Sequence, residues 1–229
     1  MKRISLSLLI GMGAILVLAP AAMTQPTEQE VETGSLTELS LEALMNIEVV
    51  SVGKKAGKLS ATPAVIDLIT SEEIRRSGVA SLPEALRLSP LLHVARANSH
   101  TWGISARGFN RTRPNKLLVL LDGRSLYTPL FSGVAWDMQD TMLEDIDRIE
   151  VIAGPGGTLW GTNAVNGIIN IMTKEAKETQ GLLISSRLGD EDRSVMSIRQ
   201  GGRIGEAAYY RVYLKDTVVD DTVFPSGQD

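Results

Sequence analysis

Cysteine is absent from all 229 residues, and histidine occurs only twice, as His93 and His100. The first absence excludes a disulfide framework, a thiolate metal site and a cysteine nucleophile. With two imidazoles and no paired carboxylates at ligand spacing, neither a structural metal nor a cofactor is expected. Basic residues are in deficit too. Lys and Arg number 23 against 27 Asp and Glu, a formal charge of −4, so no basic stripe can neutralise a phosphate backbone and nucleic acid is not an expected partner. Beyond residue 19 no apolar run reaches helix-spanning length, so any membrane crossing has to be built from strands. No G-x-S-x-G elbow is present.

What is present starts with a targeting pattern. Lys2 and Arg3 precede an uncharged apolar stretch from Ile4 to Ala19, and Ala19-Pro20-Ala21 puts small residues where a signal peptidase reads. Residues 1–21 therefore read as a signal peptide. The alternative is a membrane anchor, for which the run is short against the roughly 20 residues a bilayer core needs. Residues 22–60 read as a periplasmic leader. Within it, Thr24–Ser35 is polar, and Leu36–Asn46 spaces Leu36, Leu39, Leu41, Leu44 and Met45 as a short amphipathic helix. Ile47–Val52 is extended, and Gly53–Ser60 is a flexible basic linker.

With 43% hydrophobic residues the chain can bury one ordinary core, and its pattern places that core in residues 61–174. Ala64–Ile69 reads as a strand. Thr70 and Glu73 fit a capping box for a helix that Gly78 closes; Ser81 and Glu84 repeat the spacing before a helix over Leu82–Leu88, which stops at Pro90. Further strands are predicted at Leu91–Arg96, Gly103–Arg107, Leu117–Leu121, Ile146–Ile152 and Ile168–Met172. Short helices among short strands make an α+β domain with a mixed β-sheet.

Residues 175–229 differ. Leu182–Leu188, Val195–Gln200 and Ala208–Lys215 are strand-like, separated by the 189–192 turn and by Gly201-Gly202-Arg203-Ile204-Gly205. In the third, Tyr210, Val212 and Leu214 alternate with Arg211, Tyr213 and Lys215. Such two-sided alternation suits a barrel strand in an outer membrane, and on periodicity alone it suits a soluble antiparallel sheet equally.

Several blocks in colinear order carry a resemblance. They are Ala64–Thr70 with Glu72, Glu73 and Ile74; SLPEALRLSP over Ser81–Pro90; SARGF over Ser105–Phe109; VLLDG over Val119–Gly123; and Asp147–Lys174, with IEVIAGPGGTLWGTNAVNGIINIMTK from Ile149. Together they resemble the plug domain of TonB-dependent outer-membrane receptors, followed by the first antiparallel strands of a transmembrane barrel. The resemblance implies a plug that gates a barrel during energy-coupled uptake of a ligand such as an iron chelate or vitamin. It also implies the TonB energy-coupling protein as partner and the cell outer membrane as location. Two positions depart from the pattern: Ala153 stands where the family has arginine before Gly-Pro, and Leu91 where it has glycine. Of the two arginines that latch such plugs to glutamates on the wall, Arg107 alone remains.

A family barrel closes at about 22 strands of about 9–11 residues. Residues 181–229 supply three or four, and an open sheet edge in lipid leaves backbone groups unpaired. The chain is therefore expected to be a fragment or truncated product.

Candidate sites follow from these readings. Ile47, Glu48, Val49, Val50, Ser51 and Val52 form the candidate TonB box, a segment a partner can add as a strand; an ordinary edge strand of the plug is the alternative. Two loops, Ala97–Trp102 and Tyr127–Trp136, would face outward in the family orientation. From them His100, Trp102, Tyr127, Phe131 and Trp136 are candidate ligand contacts, with Arg111 and Arg113 as attractors for an anion. Packing against the wall or sheet is the competing role for each ring. The glycines of 154–161 lack the Gly-Lys-Ser/Thr ending of a phosphate cradle and fit a tight turn better. Two other functions remain open here: a free periplasmic plug-like binding module, and a hydrolase using Asp122 with His93, which requires hydrogen-bond reach between them. Asp122 before Gly123 also suits a turn.

Overall fold

The structure, a computed structural model, describes residues 64–108, 110–111, 114–189 and 194–220, together with the backbone pairing of 48–49 and 57–58. The expected signal peptide and leader helix lie outside the described residues, as does residue 113.

Strands β1 (Glu48–Val49) and β2 (Gly57–Lys58) form a small antiparallel pair. The β-branched run of β3 (Val65–Thr70) leads into helix α1 (Ser71–Ser77). Thr70 Oγ1 accepts from Glu73 N at 3.2 Å, and Thr70 N donates to Glu73 Oε2 at 2.7 Å, the reciprocal box expected. Gly78, at φ 69°, closes the helix in a left-handed conformation. Ser81 behaves differently. Helix α2 (Leu82–Ala85) has Pro83 near its start, so one backbone donor that a capping hydroxyl would seek does not exist. The Ser81 hydroxyl is left buried without a partner, Glu84 Oε2 accepts from Ala80 N instead, and the chain tightens into a 3₁₀ turn over Leu86–Leu88. The second capping box is thus not formed.

Strands β4 (Leu92–Arg96) and β5 (Trp102–Ala106) make a separate hairpin. Asn98 Oδ1 organises its turn by accepting from His100 N at 3.0 Å and Thr101 N at 2.7 Å. The main sheet adds β6 (Leu117–Leu121), β7 (Arg124–Ser125), β10 (Ile146–Ala153) and β11 (Gly167–Thr173) to β3, in the order β3-β10-β11-β6-β7. Between them, β8 (Tyr127–Thr128) pairs with β9 (Gly133–Val134). β10 runs antiparallel to both β3 and β11, whereas β11 is parallel to β6, so the sheet is mixed as predicted.

The uninterrupted apolar run of β6 is explained by burial on both faces. Val119 and Leu117 enter the larger core with Ile149, Val151, Ile169 and Ile171; Leu118 and Leu120 face a smaller one with Ile152, Ala164 and Ile168. A bulge between Ile146 and Arg148 inserts one extra residue into β10. The glycine-rich turn after β10 contains the short helix α3 (Gly157–Trp160). Close approach accounts for its neighbour Gly167: an added Cβ would lie 2.4 Å from Ile152 O on the paired strand.

Strands β12 (Gly181–Leu188), β13 (Ser194–Ile204) and β14 (Ala208–Val218) form a three-stranded antiparallel sheet. Gly201 and Gly202, expected in a turn, lie within β13 opposite Arg211 and Tyr210, and the chain reverses only around Gly205 at φ 62°. Contact explains these glycines: a Cβ on Gly201 would fall 1.9 Å from Thr179 O, and one on Gly202 2.3 Å from the Tyr210 hydroxyl. The even-numbered face of this sheet carries most of its exposed apolar groups, including Leu182, Ile184, Leu188, Met196, Ile198, Val212 and Leu214. The odd-numbered Arg187, Val195, Ser197, Arg199, Arg211 and Lys215 turn toward the plug core and are buried or partly so. No helix among the described residues is long and apolar enough to cross a membrane.

Candidate functional site

Three regions hold the residues singled out above, and a fourth stands beside them. In the first, Glu48 pairs with Lys58 and Val49 with Gly57. Part of the linker expected to be flexible therefore serves as the partner strand of the extended segment. Ile47, Val50, Ser51 and Val52 lie outside the described residues. Two paired residues make a marginal ladder, so this hairpin is easily exchanged for another pairing.

The second region is the loop pair. A cleft of about 310 Å³ is lined by Arg96, His100, Trp102, Trp136, Asp137 and Lys215, among others. An adjoining space of about 240 Å³ brings in Phe131 beside His100 and Trp136. The outward exposure expected of Trp102 and Trp136 is corrected here: they are only 7% and 4% exposed and belong to the main core. Each has too much apolar surface to leave in water when the sheet offers a place for it. Two guanidiniums also lie over the Trp102 ring, Arg87 at 5.1 Å and Arg96 at 5.2 Å from its centroid. Tyr127 and Phe131 are half-buried, and His100 and Arg111 are exposed.

In the third region, Arg107 is exposed at the end of β5, at φ 54°, next to Gly108 at φ 90°. A non-glycine residue in the left-handed region marks a sharp turn held by its surroundings. Asp122 shares that conformation at φ 47°, and with Gly123 at φ 78° forms the two-residue hairpin loop between β6 and β7. Its carboxylate accepts from Thr173 N at 2.8 Å and Thr173 Oγ1 at 2.9 Å, tying the turn to the end of β11. His93 instead pairs with the Asn110 amide. The hydrolase pairing is thus not assembled, because both groups are committed to different neighbours.

The fourth region was not singled out from sequence. Three acids of the segment before β10 meet cations from each C-terminal strand. Glu144 Oε1 accepts from Ser185 Oγ at 2.7 Å and from Arg187 Nη2 at 2.9 Å. Asp145, nearly fully buried, accepts from Arg199 and lies 3.5 Å from Arg211 Nε. Asp140 pairs with Lys215. Arg211 continues to Lys174 O at 2.9 Å and Thr173 Oγ1 at 3.3 Å. Burial pushes the Glu144 carboxyl up, but the Ser185 hydrogen bond, a bond from its own backbone and the charges of Arg187 and Lys215 outweigh it. The net position is below the ordinary glutamate value. The signal that could have revealed this seam is the period-2 placement of cations at 187, 199, 211 and 215, together with the acids at 140, 144 and 145 just before β10.

A mixed sheet with short helices, joined to a sheet that is apolar on one face and cationic on the other, defines a plug with part of a barrel wall. The comparisons agree. A family model described as the TonB-dependent Receptor Plug Domain matches residues 58–168. Residues 58–168 are thus a TonB-dependent receptor plug domain, and the chain belongs with that family. Among curated relatives, the vitamin B12 transporter BtuB of Vibrio cholerae is 31% identical over 166 residues, covering 72% of this chain. The chain spans 27% of that relative's length. Among solved structures, the ferric yersiniabactin uptake receptor FyuA of Yersinia pestis aligns with a TM-score of 0.57 at 22% identity, over 72% of this chain and 27% of its own. The ferripyoverdine receptor of Pseudomonas aeruginosa gives 0.57 at 18%, over 73% and 22%. At these identities the structural likeness speaks for the fold.

Proposed function

We propose that this chain is the N-terminal gate of an outer-membrane receptor for energy-coupled uptake, its plug blocking a barrel whose first strands are β12–β14. The observation that carries the reading is the continuity of a plug fold with a sheet of alternating apolar and cationic faces. A soluble sheet gains nothing from presenting so many aliphatic side chains on its outer face, whereas a lipid-facing wall requires them. On this reading residues 1–21 direct export, and Ile47–Val52 is the box that a TonB-type coupling protein captures. Capture proceeds by strand addition, for which the short β1–β2 pairing is a weak competitor.

The relatives are named for vitamin B12 and for ferric siderophores, and those two ligand classes are the ones we assign as alternatives here. His100, Tyr127, Phe131, Arg111 and Arg113 are the contacts proposed; of these, His100 and Phe131 line the cleft walls together with the buried Trp102 and Trp136. Arg107 is proposed as the plug's remaining arginine latch.

Two measurements test this. Titrating the detergent-solubilised chain with vitamin B12 and with a ferric siderophore should change tryptophan emission for one of them, since Trp136 lies beside His100 and Phe131 in the cleft wall. Silence toward both would remove the ligand assignment. Replacing Val50 with proline deletes a backbone donor and fixes φ, and should abolish capture by the coupling protein's C-terminal domain. Undiminished capture would remove the box.

A further inference from the structure

The three C-terminal strands have no core of their own. Their outer face is exposed aliphatic surface, and two of their edges carry no partner among the described residues. What faces inward is mostly polar: Ser185, Arg187, Ser197, Arg199, Arg211 and Lys215, with the buried Val195 and the partly buried Leu183 as apolar exceptions. Hydrophobic contact therefore contributes little to where the sheet sits on the plug.

Charge does the positioning instead. The short segment from Asp140 to Asp145 presents three carboxylates, and each is met by a different set of strands. Glu144 takes Ser185 and Arg187 of β12; Asp145 takes Arg199 of β13 and Arg211 of β14; Asp140 takes Lys215 of β14. The acidic segment is itself fixed to the sheet. Lys174 N donates to Asp145 O at 2.8 Å and Lys174 Nζ to Glu144 O at 2.9 Å, at the end of β11. Because side chains alternate along a strand, a slip of one residue in β13 would bring Ile198 or Gln200 to Asp145 and turn Arg199 onto the aliphatic face. That outcome leaves a buried carboxylate without a counter-charge and a guanidinium on an apolar surface, so only one register is compatible with the seam.

We propose that the Asp140–Asp145 segment is the dock that seats β12–β14 on the plug and sets their register, with Asp145 as the central positioning residue. The three strands are thereby ordered by the plug before, and independently of, closure with any further strands. The inference concerns assembly of this chain alone and needs neither a ligand nor a coupling partner.

The test is hydrogen exchange on the full 229-residue chain in detergent micelles. In Asp145→Asn, the amides of β13 and β14 should exchange faster by roughly 100-fold or more, the effect of taking the counter-charge from two partly buried guanidiniums, while β10 and β11 keep their protection. Unchanged protection in β13 and β14 overturns the proposal. If protection is lost in the plug sheet as well, the exposed end of the seam decides. Lys215→Asp should open β14 selectively, and the exchanged pair Asp140→Lys with Lys215→Asp should close it again. Failure of that double variant to restore protection also overturns the proposal, because a role in packing alone would not depend on the order of the charges.

Discussion

Replacing Asp122 separates a turn-forming role from any catalytic one, and the structure sets the scale. Its carboxylate makes two hydrogen bonds to Thr173, and its backbone is left-handed at φ 47°. Both bonds are exposed, so each contributes at the ordinary net level of about 0.5–1.5 kcal/mol. An alanine held in the left-handed region adds about 1–2 kcal/mol, a strain that Asp and Asn largely escape. Asp122→Ala should therefore destabilise the plug by about 2–5 kcal/mol. Asp122→Gly relieves the backbone but loses both bonds, and falls between. Asp122→Asn keeps an acceptor for Thr173 N and tolerates the conformation, for a loss under about 1.5 kcal/mol. Urea unfolding followed by tryptophan emission reads this cleanly. All three tryptophans, Trp102, Trp136 and Trp160, precede β12, and Trp102 and Trp136 belong to the main core, so the signal follows unfolding of the plug. Equal stabilities for the three variants, or a neutral alanine, would refute the reasoning.

Other expectations follow from packing and charge. Ile149, with no exposed surface in the middle of β10, should lose about 2–5 kcal/mol as Ile149→Ala in the same urea assay. Gly167→Ala should lower the unfolding free energy by about 1–3 kcal/mol, because its new methyl meets the Ile152 carbonyl at 2.4 Å. Gly157→Ala, whose nearest contact is 4.0 Å away within a helix, should be neutral or stabilising by up to about 1 kcal/mol. Glu144 has a folded value below its ordinary 4.5, so its contribution is fully present above that pH and disappears as the pH falls through the lowered value. Exchange protection of β12 should thus decline on acidification below about 4.5 in the native chain and be flatter with pH in Glu144→Gln.

Local chemistry made much of the fold legible. The Thr70–Glu73 box, the Gly78 stop, the Asp122-Gly123 reversal and the all-apolar β6 each carry a short-range physical signature, and each forms where the pattern places it. Ser81 misled because the capping spacing is insensitive to the proline at residue 83. Gly201 and Gly202 misled because glycine serves close contact as readily as reversal, and only the positions of Thr179 and Tyr210 distinguish the two uses. Trp102 and Trp136 sit on loops by sequence yet in the core by packing, a distinction that periodicity cannot make. The acid–cation seam joins residues 41 to 75 positions apart, so no local window contains it.

One consequence lies in the sheet order. The first strand of the main sheet, Val65–Thr70, has a single neighbour, Ile146–Ala153, and the central parallel pair joins Leu117–Leu121 to residues 167–171. During synthesis the leading strand must therefore wait, unpaired, until nearly the whole domain has emerged. Such high contact order slows folding and leaves a β-branched edge open to wrong partners in the meantime.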